Sequence, residues 1–421
     1  MWFMPSNFGD FSNRKMTITL LFDLDGTLLM NSVSEFIPAY LNLLGNFLGK
    51  DQSSQEIQSA VLTATNLMVH NNDPARTLEE CFDDYFYSKI KTSKKDLLKD
   101  ILDFYENNYP QLKKFTSPFL EVKPVINNFV QMGISLVIAT NPLFPKTAIT
   151  QRVKWANLDP KINEYTLITS YEAFHFAKPN PAYFAEILAK LGWPEGPIGM
   201  VGNDWEMDIL PAEVIGIPTY FLGKPEHVLN ISRHPLSSQG NWEELEDWVK
   251  KISMVENHFE PNQSVDYFKA VLLSTAAVID SFMRSHHSSK ILSIRPVESE
   301  WSLVEIISHI ADVDEEVNLP RINMILNDDT PFFPAIETDE WASERRYILN
   351  DPLKEMQRFI SNRKKLVETI SNLSNQDLSK LVNHSIFGPT SVKEIIKFIT
   401  QHDRIHIQQI NQTASKFDQN L

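Results

Sequence analysis

Asp23 and Asp25 close the apolar segment ITLLFDLDGTLL (residues 18–29), and Gly26 and Thr27 follow them at once. Residues two apart on a strand face the same side, so both carboxylates project together where such a strand ends. A buried pair of acids is costly unless a cation or a proton shares the site. The pair therefore demands a positively charged partner. In open α/β sheets, ligands bind just outside the carboxyl ends of the strands, which is where these acids would stand.

The elements that must position this pair can be read from the hydrophobic pattern. From Met16 to about Gly223, short β-rich runs alternate with helical stretches, the pattern of a parallel sheet wrapped by helices. The strand-like runs are TITLLFD (17–23), SLVIAT (135–140), YTLITS (165–170), IGMVGN (198–203) and PTYFLG (218–223). Each is nearly continuously apolar, as a parallel strand covered on both faces should be. Between the first two runs lies an insertion, Ser32 to Phe119, with four helical segments. That is far more chain than a crossover needs, and it predicts a helical cap over the strand ends. NWEELEDWVKKI (241–252) reads as a last helix, and a polar linker with Pro261 follows it.

Beyond the linker no strand is expected. Four amphipathic segments, about 264–287, 302–326, 352–372 and 391–415, suggest an up-and-down bundle. Two of them begin alike, SLVEIISHI and SVKEIIKFI, each with a capping box: Ser302 with Glu305, and Ser391 with Glu394. The expected organisation is an extension (1–15), an α/β Rossmann-like domain (16–252; core 16–31 and 120–252, all-α cap 32–119), a linker (253–263) and an all-α four-helix bundle (264–415).

On four motifs the first domain resembles the haloacid dehalogenase superfamily of hydrolases. Asp23-Leu24-Asp25-Gly26-Thr27 matches D-x-D-G-T. The strand SLVIAT ends in Thr140. Lys178 precedes Pro179 and a helix, and VGNDWEMD (201–208) supplies an acidic turn after a strand. Four ordered motifs on the expected elements are far more specific than one. The resemblance implies a phosphoric monoester hydrolase in which Asp23 attacks phosphorus to form an aspartyl-phosphate. Asp25 would protonate the leaving oxygen and then activate water. Thr140 and Lys178 would bind the non-bridging oxygens. Mg²⁺ would be held by Asp23, the backbone carbonyl of Asp25 and fourth-motif side chains. The commonest fourth motif has Asp directly after Gly. Here Asn203 holds that place, Asp204 follows and Asp208 is the later acid, which leaves either Asn203 or Asp204 as the ligand. Asp208 also reads as an acid favoured by a helix N-terminus. Family members that cleave carbon–halogen bonds usually lack the second acid, so Asp25 points to phosphate.

Three of the 11 histidines form a second constellation. His309 lies on the second bundle helix, while His402 and His406 lie four apart on the fourth and so share a face. A third imidazole from a facing helix would complete an open metal site. Residues from about Ser264 to Ala414 resemble the DinB-like bundle family, whose hallmark is this arrangement. The resemblance implies Zn²⁺, Ni²⁺ or another divalent transition metal. Some members use thiol cofactors in transfer reactions, so the bundle reads as the main enzyme, as an accessory metal site, or as a docking or dimerisation module. Asp403 reads either as a partner of the histidines or as a solvated helix residue. His286, His287 and His384 receive no role.

Composition narrows the partners. A net charge of −15 disfavours nucleic acid and anionic membrane surfaces, which need clustered Lys and Arg. The single cysteine, Cys81, excludes an internal disulfide framework and a multi-thiolate zinc site, and it fits a reducing cytoplasm. The expected partner is a small phosphorylated metabolite, and a homodimer stays open. The cap sequence does not name the substrate.

Overall fold

The computed structural model describes residues 17–49, 52–160, 165–223, 234–254, 263–286, 290–327 and 331–418. The expected extension (1–15), most of the linker (253–263) and His287 lie outside them. The described residues between 16 and 184 and between 194 and 261 form one compact unit; those between 185 and 193 and between 262 and 421 form the other.

The first unit opens with β1 (Thr19–Phe22) and β2 (Leu29–Asn31), and then the inserted helices α1 (Val33–Leu48), α2 (Ser54–Val69), α3 (Leu78–Lys89) and α4 (Lys94–Asp103). Ser53 with Glu56 and Thr77 with Glu80 close reciprocal capping boxes that start α2 and α3. β3 (Thr116–Pro118) returns antiparallel to β2, so a two-stranded ribbon forms the stalk of the cap. There follow α5 (Val122–Gln131), β4 (Ser135–Ile138), α6 (Lys146–Trp155), β5 (Leu167–Ile168), α7 (Pro181–Lys190), β6 (Ile198–Gly202), a π turn (Trp205–Ile209), α8 (Leu210–Val214), β7 (Thr219–Leu222), β8 (Ser238–Gly240) and α9 (Trp242–Ser253).

All six sheet strands run parallel in the order β5-β4-β1-β6-β7-β8. The five expected strands are present. β8 was not expected, since Ser238–Gly240 has no apolar pattern; it pairs at the edge, where a strand needs only one covered side. Leu20, Leu21 and Phe22 of β1 are fully buried. Phe22 meets Phe129 of α5 and Trp242 of α9, which anchors the central strand to the helices on one face.

The second unit contains α10 (Val265–His286), α11 (Leu303–Val313), a π turn (Asp314–Asn318), α12 (Leu319–Asn327), β9 (Phe332–Phe333), α13 (Trp341–Glu344), α14 (Pro352–Ser371), α15 (Asn375–Ser379), β10 (Leu381–His384), β11 (Gly388–Ser391) and α16 (Val392–Asp418). Two expectations are corrected here. First, a simple up-and-down bundle places consecutive helices side by side, but α14 and α16 each pack against both α10 and α11. The order round the bundle is therefore α10, α14, α11, α16, and the long connection after α10 spans the diagonal. Second, strands do occur: β9, β10 and β11 form a small sheet. Its hairpin turns at Gly388, where φ is +70°, a conformation that glycine adopts without strain. Strands of two to four residues are too short to show a reliable alternation. Both capping boxes form: Glu305 accepts from the Ser302 amide at 2.8 Å, and Glu394 from the Ser391 amide at 2.8 Å.

Candidate functional site

Strand register assembles the first site. Phe22 is level with Ile138 of β4 and Val201 of β6, so the chain leaves all three strands at one height. Asp23 follows β1, Thr140 lies two residues past β4, and Asn203 follows β6. The Asp23 amide still donates to Val201 O at 3.0 Å, and the Ala139 amide to Phe22 O at 2.7 Å. β1 lies between β4 and β6, at the point where the strand order reverses, the usual ligand crevice of such sheets.

Lys178 is the cation the acids demanded. Its Nζ donates to Asp23 Oδ1 at 2.7 Å and to Asp208 Oδ1 at 2.6 Å, and all three residues are buried. Burial alone would lower the lysine, but Asp208 and Asp23 outweigh it and hold the ammonium above its usual range. Asp23 is pushed up to about 7, first by desolvation and then by Asp208, with Lys178 opposing. One ammonium between two buried carboxylates leaves negative charge uncompensated, which is the environment a divalent cation suits.

Asp208 Oδ2 accepts from the amides of Asn203 at 3.1 Å and Asp204 at 3.0 Å, folding the fourth-motif turn around one carboxylate. Gly202 permits this, because a Cβ there would collide with the Asp208 carboxylate. Asn203 turns toward the first motif: its Oδ1 accepts from Thr27 Oγ1 at 3.0 Å, and a Cβ on Gly26 would lie 2.5 Å from its Nδ2. Asp204 is exposed and directs Oδ1 to the amides of Glu206 and Met207, both at 2.9 Å, as a helix cap. Of the two alternative ligands, Asn203 is the one brought to the cluster. Thr140 is buried, and its carbonyl accepts from Tyr183 Oη and Thr169 Oγ1, both at 2.7 Å.

Sequence reasoning missed Arg152. This α6 residue is 2% exposed; its Nη1 lies 2.6 Å from Asp25 Oδ2, while Asn31 Nδ2 donates to Asp25 Oδ1 at 3.1 Å. Burial works against the guanidinium, but Asp25 and Tyr109 hold it charged. The signal was present. Arg152 stands on the helix face formed by Ala148, Ile149, Val153 and Trp155, and a cation in a buried stripe implies a buried anion. Arg152 Nε, Asn31 Oδ1 and the Tyr109 hydroxyl are buried without a hydrogen-bond partner among the described residues.

The second site joins His309 of α11 to His402 and His406 of α16. His402 Nε2 lies 3.2 Å from His309 Nε2 and 3.0 Å from His406 Nε2. Three nitrogens bound to one tetrahedral ion at about 2.0–2.1 Å would sit roughly 3.3 Å apart, so the donor set fits a transition metal. Burial, with the neighbouring His406 next, holds His309 well below its usual range, and burial likewise depresses His402. Burial lowers His406 to about 4. All three are therefore neutral near pH 7, the form that ligates. His406 Nδ1 lies 3.0 Å from Gln409 Oε1; an acceptor there puts the ring proton on Nδ1 and leaves Nε2 free to coordinate. Trp301 lies over the group, its ring 5.0 Å from His309 and nearly parallel to His406.

Asp403 is not solvated. It is buried and paired with Arg363 of α14, which also donates to Asp314 Oδ2 at 2.7 Å and Leu272 O at 3.1 Å. His384 accepts from the Ile386 amide through Nδ1 and stays outside the metal cluster, as does His286.

Residues 19–216 match the family model described as haloacid dehalogenase-like hydrolase, and residues 241–410 match the DinB superfamily model. The chain carries a haloacid dehalogenase-like hydrolase domain and a DinB-like domain. The uncharacterised protein YuaE of Bacillus subtilis is 24% identical over 147 residues, 31% of this chain and 88% of its own. Among solved structures, a HAD phosphatase from Thermococcus onnurineus aligns at 17% identity over 57% of this chain and 100% of its own, with a TM-score of 0.36. YfiT from Bacillus subtilis, described as "a probable metal-dependent hydrolase with an unusual four-helix bundle topology", aligns at 14% identity over 38% of this chain and 92% of its own, with a TM-score of 0.34. No described helix is long and apolar enough to cross a membrane.

Proposed function

We propose that the haloacid dehalogenase-like domain is a Mg²⁺-dependent phosphatase that hydrolyses small phosphate monoesters through an aspartyl-phosphate. The observation that carries this reading is the buried cluster of Asp23, Lys178 and Asp208 at the carboxyl end of the central strand. A carboxylate oxygen of Asp23 attacks phosphorus while the bond to the leaving oxygen breaks, and Asp25 donates the proton that oxygen needs. Asp25 then takes a proton from water, whose oxygen attacks phosphorus and releases Asp23. Splitting the displacement in two lowers each barrier. Lys178 and Thr140 bind non-bridging oxygens as charge gathers there, and Arg152 with Asn31 fixes the Asp25 carboxylate. Asp23, the Asp25 carbonyl and Asn203 would hold Mg²⁺, a hard cation that takes oxygen donors and neutralises phosphoryl charge.

The convergence of three Nε2 atoms supports a second reading for the DinB-like domain, in which His309, His402 and His406 would hold Zn²⁺ or Ni²⁺ and the metal would activate water or a thiol. Bound metal would lower the pKa of that ligand and supply a nucleophile for hydrolysis or transfer.

The phosphatase reading is tested on metal-stripped protein, and the metal reading on protein as purified. Aryl-phosphate hydrolysis after Mg²⁺ is restored is expected for wild type and for the triple His309, His402, His406→Ala variant, and is absent in Asp23→Asn. Hydrolysis that persists in Asp23→Asn refutes the phosphatase. Purified wild type is expected to hold one transition-metal ion and the triple variant none; wild type free of metal leaves the bundle as a docking or dimerisation module.

A further inference from the structure

A cavity of about 130 Å³ lies where the cap meets the loops after β4 and β5. Tyr40, Leu44 and Val61 form its cap wall, and Leu143, Phe144 and Tyr171 form the wall from the core loops. Phe144 is joined to the reaction centre through one residue, Arg152. It lies four residues past Thr140, and its ring is 4.8 Å from the guanidinium of Arg152, whose Nη1 binds Asp25. Asp25 is the group that hands a proton to the leaving oxygen, so the space behind Phe144 is on the side where the alcohol half of an ester departs.

The lining chemistry restricts what can enter. The cavity has no lysine or arginine among its lining residues, so nothing there would neutralise a second anionic group. Its one carboxylate, Asp83, is paired with Lys94 at 2.7 Å. The hydroxyls of Tyr40 and Tyr105 bond to each other at 2.9 Å, and Thr65 Oγ1 donates to Val61 O at 2.8 Å. Most of the remaining lining is aliphatic and aromatic carbon, so a polyhydroxylated ligand would recover few of its bonds to water there. Native cores contain few voids larger than a water molecule, whereas an apolar cavity of roughly 150 Å³ accepts benzene.

Building on the phosphatase reading, we propose that the substrate is the phosphate ester of a compact, uncharged, apolar alcohol, branched or cyclic and of about six heavy atoms, whose hydrocarbon part occupies this cavity. The same lining, which holds no cationic side chain, disfavours esters with a second negative charge.

The test compares phenyl phosphate and 3-methylbutyl phosphate with methyl phosphate and 2-hydroxyethyl phosphate, using the full chain with Mg²⁺. Two substitutions fill or close the cavity: Val61→Phe within it, and Leu62→Trp at its rim, where Leu62 is 52% exposed and the fold tolerates change. The expected result is a fall in kcat/KM of tenfold or more for the two apolar esters, with methyl phosphate within twofold of wild type. Equal losses for all four esters, no loss in either variant, or a wild-type preference for 2-hydroxyethyl phosphate overturns the proposal. Phenol binding by calorimetry separates this from failure of the phosphatase itself. If no ester is hydrolysed, phenol bound by wild type and not by Val61→Phe supports an apolar ligand site, and phenol bound by neither or by both alike overturns it.

Discussion

Asp23→Asn in metal-free protein gives the sharpest test of the buried cluster. Desolvation, with Asp208 adding to it, raises the Asp23 carboxyl from 3.8 to about 7, against the pull of Lys178. Below the unfolded value both states carry the proton and Asp23 costs nothing. Between 3.8 and about 7 the folded state holds the proton that the unfolded state has lost, so stability falls as pH rises. At about 1.36 kcal/mol per tenfold, that interval amounts to roughly 4 kcal/mol above pH 7, of which about 3 kcal/mol accrues between pH 5 and pH 8. Asparagine resembles the protonated acid at every pH. The variant should therefore exceed wild type by about 1.5 kcal/mol at pH 5 and by about 4 kcal/mol at pH 8, a gap that widens by about 3 kcal/mol over that interval, read as the urea midpoint in chelator. Mg²⁺ at one hundred times its dissociation constant should stabilise wild type by about 2.7 kcal/mol and the variant far less. Parallel pH curves for the two proteins, or equal Mg²⁺ stabilisation, would refute the reasoning that Asp23 is the desolvated charge awaiting a cation.

Other outcomes follow from the remaining charged groups. Arg152→Met should lower kcat by about 10²-fold with KM within threefold, because Asp25 loses its fixed partner; Arg152→Lys should restore part of it. His406, lowered to about 4 by burial, binds fewer protons folded than unfolded, so the metal-free bundle should lose about 3 kcal/mol as pH falls from 6.5 to 4. His406→Gln should flatten that slope in thermal unfolding. Arg363→Met strands Asp314 and Asp403 in the core and should destabilise the bundle by about 3–5 kcal/mol; adding Asp314→Asn and Asp403→Asn should recover much of the loss in denaturant titration.

The sequence by itself determined the kind of fold and most of the chemical inventory. Continuous apolar runs ending in Asp23, Thr140 and Asn203 require a parallel sheet with its ligands at one end, because strand polarity aligns those ends whatever the helices do. The i, i+4 spacing of His402 and His406 likewise fixes a shared helix face. Tertiary structure alone decided which groups meet. Arg152 is 127 residues from Asp25, and no local pattern encodes that pairing. Asn203 and Asp204 are adjacent and both carry oxygen donors, yet the Asp208 carboxylate folds their amides inward so that Asn203 turns to Thr27 and Asp204 caps a helix. The diagonal placement of α10 and α11 depends on how four similar amphipathic stripes pair, and periodicity cannot distinguish one such stripe from another. The cavity behind Phe144 belongs to the same category: its walls come from helices and loops far apart in the chain, and a void is a property of packing, with no residue of its own.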